Sequence, residues 1–487
     1  MDFDDLTPAE EQVRRAYSRG ETVDFRAAED EDPADGADWG PQRTIRASVL
    51  KALLLSAPQE DGRIAALRLR GARVTGTLNL AYGVIDQPVR LSHCYFEAAP
   101  DLYGCRLRQL NLSSSVLPAI RVNNARIDGP LRMTDCRIRG TVRLGGSQIA
   151  GALFLDGAEL TAADAQLPTL QLHQTVIGLD LWAPRLRVRG EARLNGAEVG
   201  GLVSLEGAEL SNPGGIALRA QSLGVKADVL ARSLHARGKV DLRGARIAGR
   251  LDLARSHLSN PGDTALRASS CSIGELWLHR SRPIEGTLHL RRSRIDKLSF
   301  EPEVVPGEVL LNNLSYSVLS PHEPAERRLP MLRRDGDGYL PHAHEQLTAA
   351  YRRVGDDHGA RVVQLAKLRR HRSTLPWYAR AWGHLQEATV GYGYRPLLAG
   401  AWLLSLLTIG SVAYGLHHPR PLKASEAPHF NPVFYTLDLL LPVISFGQEG
   451  AFAPDGWYQT LSYALVIAGW ILATTVVAGM TRTISRQ

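Results

Sequence analysis

Cysteine is scarce in this chain. Cys94, Cys105, Cys136 and Cys271 are the only four in 487 residues, lie far apart and form no C-x-x-C pair. That spacing offers neither a metal-ligand pattern nor a redox pair, and it assigns the thiols to small core positions. Aromatic residues make up only 6% of the sequence, too few for an ordinary mixed core, whereas glycine is abundant at 45 residues. No signal peptide is visible, since the first residues, MDFDDLTPAEEQ, are acidic and polar. There is no G-x-G-x-x-G between a strand and a helix and no haem-attachment motif, so no cofactor and no enzymatic site are evident.

Charge is unevenly spread. The overall balance is +7, yet residues 1–40 hold 13 acids against 4 bases. Residues 61–300 reverse this, with 33 bases against 21 acids. Nucleic acid is not the expected partner, because no aromatic residues interleave these arginines as stacking platforms would. The arginines read instead as solvated outward positions.

What is present in quantity is repetition. Residues 140–160 read GTVRLGGSQIAGALFLDGAEL, 190–210 read GEARLNGAEVGGLVSLEGAEL, and 238–258 read GKVDLRGARIAGRLDLARSHL. Each is two copies of G-x-φ-x-L-x-x-A/S-x-φ-x, with φ apolar, at an 11-residue step. The last two blocks continue as SNPGGIALRA and SNPGDTALRA, 48 residues apart. Alternation such as Val142-x-Leu144 places both side chains on one face of a short strand, and glycine supplies the positive φ of a sharp corner. Short strands and tight corners stack into a β-solenoid, here about 22 residues per rung with a narrow aliphatic core. The fold class is therefore mainly β, a right-handed β-solenoid over 61–318.

The solenoid has helical neighbours on both sides. Residues 1–60 form an acidic segment with a helical cap. Thr7 and Glu10 open a first helix as a capping box, 27–39 reads as loose and acidic, and 44–55 reads as a helix covering the open solenoid end. Residues 319–395 read as a linker and a helical connector, with a hairpin of helices over 345–371.

Two long uncharged stretches occupy residues 396–487. Pro396–Leu416 and Tyr458–Met480 each reach the roughly 20 apolar residues that a bilayer core requires. Six bases and no acid lie in 361–380, and Arg482 and Arg486 follow the second stretch, while the segment between them has two bases against four acids. The positive-inside bias then places both termini in the cytoplasm, with the protein in the inner (plasma) membrane and the bilayer as its first partner. Trp377, Trp382, Tyr392, Tyr394, Arg395 and Trp457 are the expected interface anchors. The string TVGYG at 389–393 is that of a potassium filter, but no spanning helix precedes it, and it reads as an interfacial loop. Between the spans, residues 430–447 suggest a short helix carrying Asp438, ended by Pro442, then a re-entrant or interfacial loop. Asp438, Pro442, Ser445, Phe446, Gly447, Gln448 and Glu449 are the candidate pore residues. His417 and His418, adjacent and with no third ligand, read as polar interface residues.

The fragments GAEL and GARI resemble pentapeptide-repeat proteins. The string from Gly391 to Pro396, followed by two spans, resembles pentapeptide-repeat membrane proteins with an ion-channel-like domain. LDLLLPVISFGQ, residues 437–448, is similar to the loop of actinobacterial β-helix membrane proteins often labelled "membrane-associated oxidoreductase". The resemblance implies a cytoplasmic repeat domain and a degenerate pore domain, and it brings an oxidoreductase label that no residue here supports. The functional expectation is a membrane-anchored scaffold or sensor whose solenoid binds a protein partner. The alternatives are a homo-oligomeric channel-like protein and, by label only, a redox enzyme.

Overall fold

The computed structural model describes residues 5–56, 63–162, 164, 166–373, 376–377, 396–423, 428–441 and 444–484; the side chains of 396–399 and 475–484 are not described. The chain divides into two compact units, residues 1–360 and 361–487.

The first unit is a parallel β-solenoid over residues 67–320, of about 11 turns. A rung has four short sides, for example Leu131–Arg132, Arg137–Ile138, Val142–Arg143 and Gln148–Ile149. Each side pairs in parallel with its counterpart one rung on: Leu131 with Leu153, Arg137 with Glu159, Val142 with Leu170 and Gln148 with Val176. Four ladders therefore run the length of the unit. Val142, Leu144, Ser147 and Ile149 are all buried, as are Leu153, Leu155, Ala158 and Leu160 in the next 11-residue step. All four marked positions of the sequence motif point inward, so each step contributes two sides and one corner to the wall.

Corners are where the structure departs from expectation. Positive φ is not reserved for glycine: Asn124 (56°), Asp135 (53°) and Gln174 (55°) adopt it as Gly146 (72°) does, each just before the small inward residue. Stacking holds those corners, since the amide of Asn124 donates to the Gly145 carbonyl (3.0 Å) and that of Gly146 to His173 (2.9 Å), one rung on. The motif's leading glycine has another cause. A Cβ on Gly140 would lie 2.4 Å from the carbonyl oxygen of Pro118 in the rung before.

The small position explains the cysteines. Cys94, Ser115 and Cys136 stack in one corner column, and Cys105, Ala125, Ser147 and Thr175 in the other, all buried. A hydroxyl or thiol there donates to a carbonyl of the rung before: Ser115 to Leu91 (2.9 Å), Cys136 to Leu112 (2.9 Å), Thr175 to Leu144 (2.9 Å) and Cys271 to Leu242 (3.0 Å). Burial pushes the thiols of Cys94, Cys105 and Cys136 up to about 12 and that of Cys271 to about 11. Cys94 and Cys136 stand two rungs apart, roughly 9.6 Å, beyond the reach of a disulfide.

The 48-residue repeat is two rungs of unequal length. Gly224 pairs with Arg246 and then Arg246 with Ser272, steps of 22 and 26 residues. The extra residues form a loop at one corner of every second rung, where Asn212 Nδ2 donates to the Ile216 carbonyl (3.0 Å) and Asn260 Nδ2 to that of Thr264 (2.9 Å). The intervening corner is tight, and Gly238 (φ 114°) sits where a Cβ would meet the Asn212 carbonyl oxygen at 2.4 Å.

Both solenoid ends are covered. Helix α1 (Pro8–Arg19) carries the expected capping box, with Thr7 as N-cap. Strands Thr22–Asp24 and Thr44–Arg46 pair in parallel with Arg68–Arg70 and Arg73–Thr75, and helix α2 (Ala47–Ser56) follows. The expected helix over 44–55 thus begins as a strand, because the exposed first rung offers a ladder to pair with. The acidic stretch 27–39 is not loose. It forms a 3-10 turn, Pro33–Asp38, held by Arg43–Glu31 (2.8 Å) and Arg137–Asp32 (2.9 Å).

At the other end a helix, α3 (Ala325–Arg333), occupies the expected linker, followed by α4 (Pro341–Arg353) and α5 (Asp357–Ser373), the expected hairpin. Helix α4 lies on the last strand, Ser315–Ser320, through Gln346 Nε2 (2.6 Å) and Arg353 Nη1 (3.0 Å), both donating to the Tyr316 carbonyl.

Candidate pore loop

The second unit contains α6 (Pro396–Leu416), α7 (Pro432–Leu440) and α8 (Trp457–Ile484). Helix α7 begins where Asn431 caps it, its Oδ1 accepting from the amides of Val433 (3.0 Å) and Phe434 (3.4 Å). That end is level with the C-terminus of α6 and the start of α8. The Tyr414 ring meets the Tyr435 ring edge-on at 4.9 Å, and its hydroxyl donates to the Tyr458 carbonyl (3.0 Å). The other end of α7 lies much farther along α8. A Cβ on Gly469 would approach the Leu440 carbonyl oxygen to 2.2 Å. Gly469 is 12 residues past Trp457, about 18 Å along the helix at 1.5 Å per residue. The short helix therefore descends beside α8, and the chain must return.

It returns through residues 444–451, pinned by two side chains. Asp438, buried on α7, accepts hydrogen bonds from three backbone amides, those of Phe446, Gln448 (2.7 Å) and Glu449 (3.0 Å). Gln448 is also buried; its Oε1 accepts from the Asn431 amide (3.2 Å) and its Nε2 donates to the His429 carbonyl (3.1 Å). The segment then closes as Arg420–Pro421 pairs antiparallel with Phe452–Ala453. Phe452 joins Tyr414, Tyr435, Leu439, Leu440 and Leu465 in a buried cluster.

Of the candidate pore residues, Asp438 is thus enclosed by the loop's own amides. Ser445, Phe446, Gly447 and Glu449 are exposed, and the Phe446 ring packs on Phe434 at 5.3 Å. Pro442 lies outside the described residues, as do Trp382, Tyr392, Tyr394, Arg395 and the TVGYG string. Trp377 and Trp457 are exposed, 79% and 74%. His417 stacks on Tyr458, ring centroids 4.8 Å apart, with Nδ1 3.0 Å from its hydroxyl. Among the described residues no His/Cys/Asp/Glu group could hold a metal ion.

Both apolar stretches form helices, α6 and α8. Among the described residues no helix is long and apolar enough to cross a membrane. Side chains are described over 400–416 of the first stretch and up to 474 of the second, and there one set of apolar residues faces outward: Trp402, Leu404, Ile409 and Val412 on α6, and Tyr463, Ile467 and Trp470 on α8, are all exposed.

No family model matches the chain, and neither a curated protein nor a solved structure does.

Proposed function

We propose that this is a membrane protein of pore-forming type, in which several copies bring the 444–449 loop to a common axis. The solenoid would then be its cytoplasmic interaction domain, both termini lying on that side as the positive-inside bias requires. The observation that carries this reading is the return of non-helical backbone beside the middle of α8. Backbone at membrane depth is tolerated only when covered by protein or facing a water-filled cavity. Within one chain Ser445, Phe446 and Gly447 are left uncovered, and two long helices cannot enclose a pore alone. Outward-facing aliphatic and tryptophan residues on α6 and α8 suit a lipid-facing rim.

Ion flux through the full-length protein in liposomes tests the proposal. Gly447 has φ 78°, and Asp438 fixes three amides of the loop, so Gly447→Ala and Asp438→Ala are both expected to change flux from the wild-type value. A folded, oriented protein that is monomeric in the bilayer and passes no ions would overturn it. The scaffold reading would then remain, favoured by a solenoid capped at both ends that presents long regular rows of side chains.

A further inference from the structure

The outer face of one ladder carries two parallel rows of side chains. In the first, Arg137, Glu159, Arg187 and Glu209 succeed one another from rung to rung. Arg187 reaches Glu159 at 2.8 Å and Glu209 at 3.8 Å, so this row neutralises itself. Two residues farther along each strand, the second row reads Thr161, Arg189, Ser211, Arg237, Ser259. Arg139 stands one rung earlier, next to Ile138, which pairs with Leu160. Arg139, Arg189 and Arg237 are exposed, and among the described residues their side chains have no hydrogen-bond or ion-pair partner. They follow the long repeat and stand two rungs apart, roughly 9.6 Å, with hydroxyl side chains between them. Glu285, accepting from Ser259 Oγ (2.5 Å), ends the positive stretch.

The N-terminal end of the same face is already occupied by an acidic peptide, the chain's own. Arg73, Tyr95, Val116 and Arg137 begin the first row. The acidic segment lies on them: Asp32 takes a hydrogen bond from Arg137 (2.9 Å), Arg73 Nη1 donates to the Ala37 carbonyl (2.7 Å), and Gly36 packs against Tyr95.

We propose that the Arg139–Arg189–Arg237 row docks an extended acidic segment of a partner protein, laid along the solenoid axis beyond the point where the chain's own segment stops. The four rungs from Arg139 to Arg237 cover roughly 19 Å, the length of about six extended residues. An acid at every third residue would meet successive arginines, and Glu29, Asp32, Asp35 and Asp38 already show that spacing. Thr161 and Ser211 would serve the peptide's backbone. Nucleic acid fits less well, because the row offers no ring on which a base could stack.

The test is fluorescence anisotropy with full-length protein in neutral detergent and a labelled peptide of residues 27–39, AAEDEDPADGADW, at low salt. Saturable binding is expected, weakened about tenfold or more by Arg139→Ala/Arg189→Ala/Arg237→Ala. Arg68→Ala/Arg90→Ala, on another exposed face, should leave it within about twofold. No saturable binding, or an equal loss in both variants, would overturn the proposal. So would displacement of the peptide by lower concentrations of a single-stranded oligonucleotide or of phosphatidylserine vesicles.

Discussion

Replacing Glu10 by glutamine should open the N-terminal cap without loosening the solenoid behind it. Glu10 is fully buried. One oxygen accepts from the Arg46 amide (2.9 Å) and Nε (2.8 Å), and the other from Arg46 Nη2 (2.7 Å) and the Thr7 amide (3.0 Å). Burial raises the carboxyl's pKa, but the Arg46 guanidinium and the two amides outweigh it and bring it down to about 2 from an ordinary 4.5. Because the folded value is depressed, the stabilisation is fully present above pH 4.5 and is lost as pH falls toward 2. A shift of that size corresponds to at most about 3 kcal/mol. Arg46 is 38% exposed, and solvent screening reduces the figure to roughly 2 kcal/mol, or about thirtyfold in the local opening constant. Hydrogen exchange, corrected for intrinsic rates, reads it directly. Glu10→Gln should speed exchange in α1 and at 44–56 by about that factor at pH 7, leaving residues 200–300 unchanged. Wild type should approach the variant as pH falls below 4.5. Glu11, lowered to about 2 chiefly by its hydrogen bonds to Arg14 and Arg15, titrates in the same window and sets the small dependence left in the variant. Uniform acceleration across the solenoid, or an undiminished pH response in Glu10→Gln, would refute the reasoning.

Two further outcomes follow from the rung geometry. Gly238→Ala should cost about 2 kcal/mol or more, combining a Cβ clash with backbone and an unfavourable φ. Gly214→Ala, whose Cβ would meet nothing within 4 Å, should cost about 1 kcal/mol from its φ of 72°; thermal unfolding ranks the pair. The four buried thiols should resist an aromatic disulfide reagent until the protein unfolds, and Cys136→Ser should shift stability by no more than about 1 kcal/mol, since Ser115 occupies the equivalent position one rung earlier.

The solenoid was legible because its physics is local. Each 11-residue step repeats the same inward pattern, so Val142, Leu144, Ser147 and Ile149 could be assigned from spacing alone, and the capping box of Thr7 and Glu10 is read within four residues. What escaped depends on partners distant in sequence. The 27–39 segment has a disordered composition, and its order comes from partners outside it: Arg43, Arg73 and, more than 100 residues away, Arg137. Thr44–Arg46 has helical spacing but meets a free strand edge at Arg73–Thr75. Nothing in LDLLLP indicates that amides at 446–449 fold back on Asp438. The linker at 319–340 looked irregular because Pro330 lies inside α3.

The paired ladders and closed ends have a consequence for length. With about 11 turns at roughly 4.8 Å each, the solenoid is a rod of about 50 Å whose extent is set by counting. Each long repeat begins and ends at the same corner and in the same register, so removing residues 190–237 would join equivalent positions and shorten the rod by roughly 10 Å. Helices α1 and α2 at one end and α4 at the other cover the terminal strands and keep such rods from adding to one another. Distance along this protein is thus a quantity that evolution can change in whole steps, by duplication or loss, without redesigning either end.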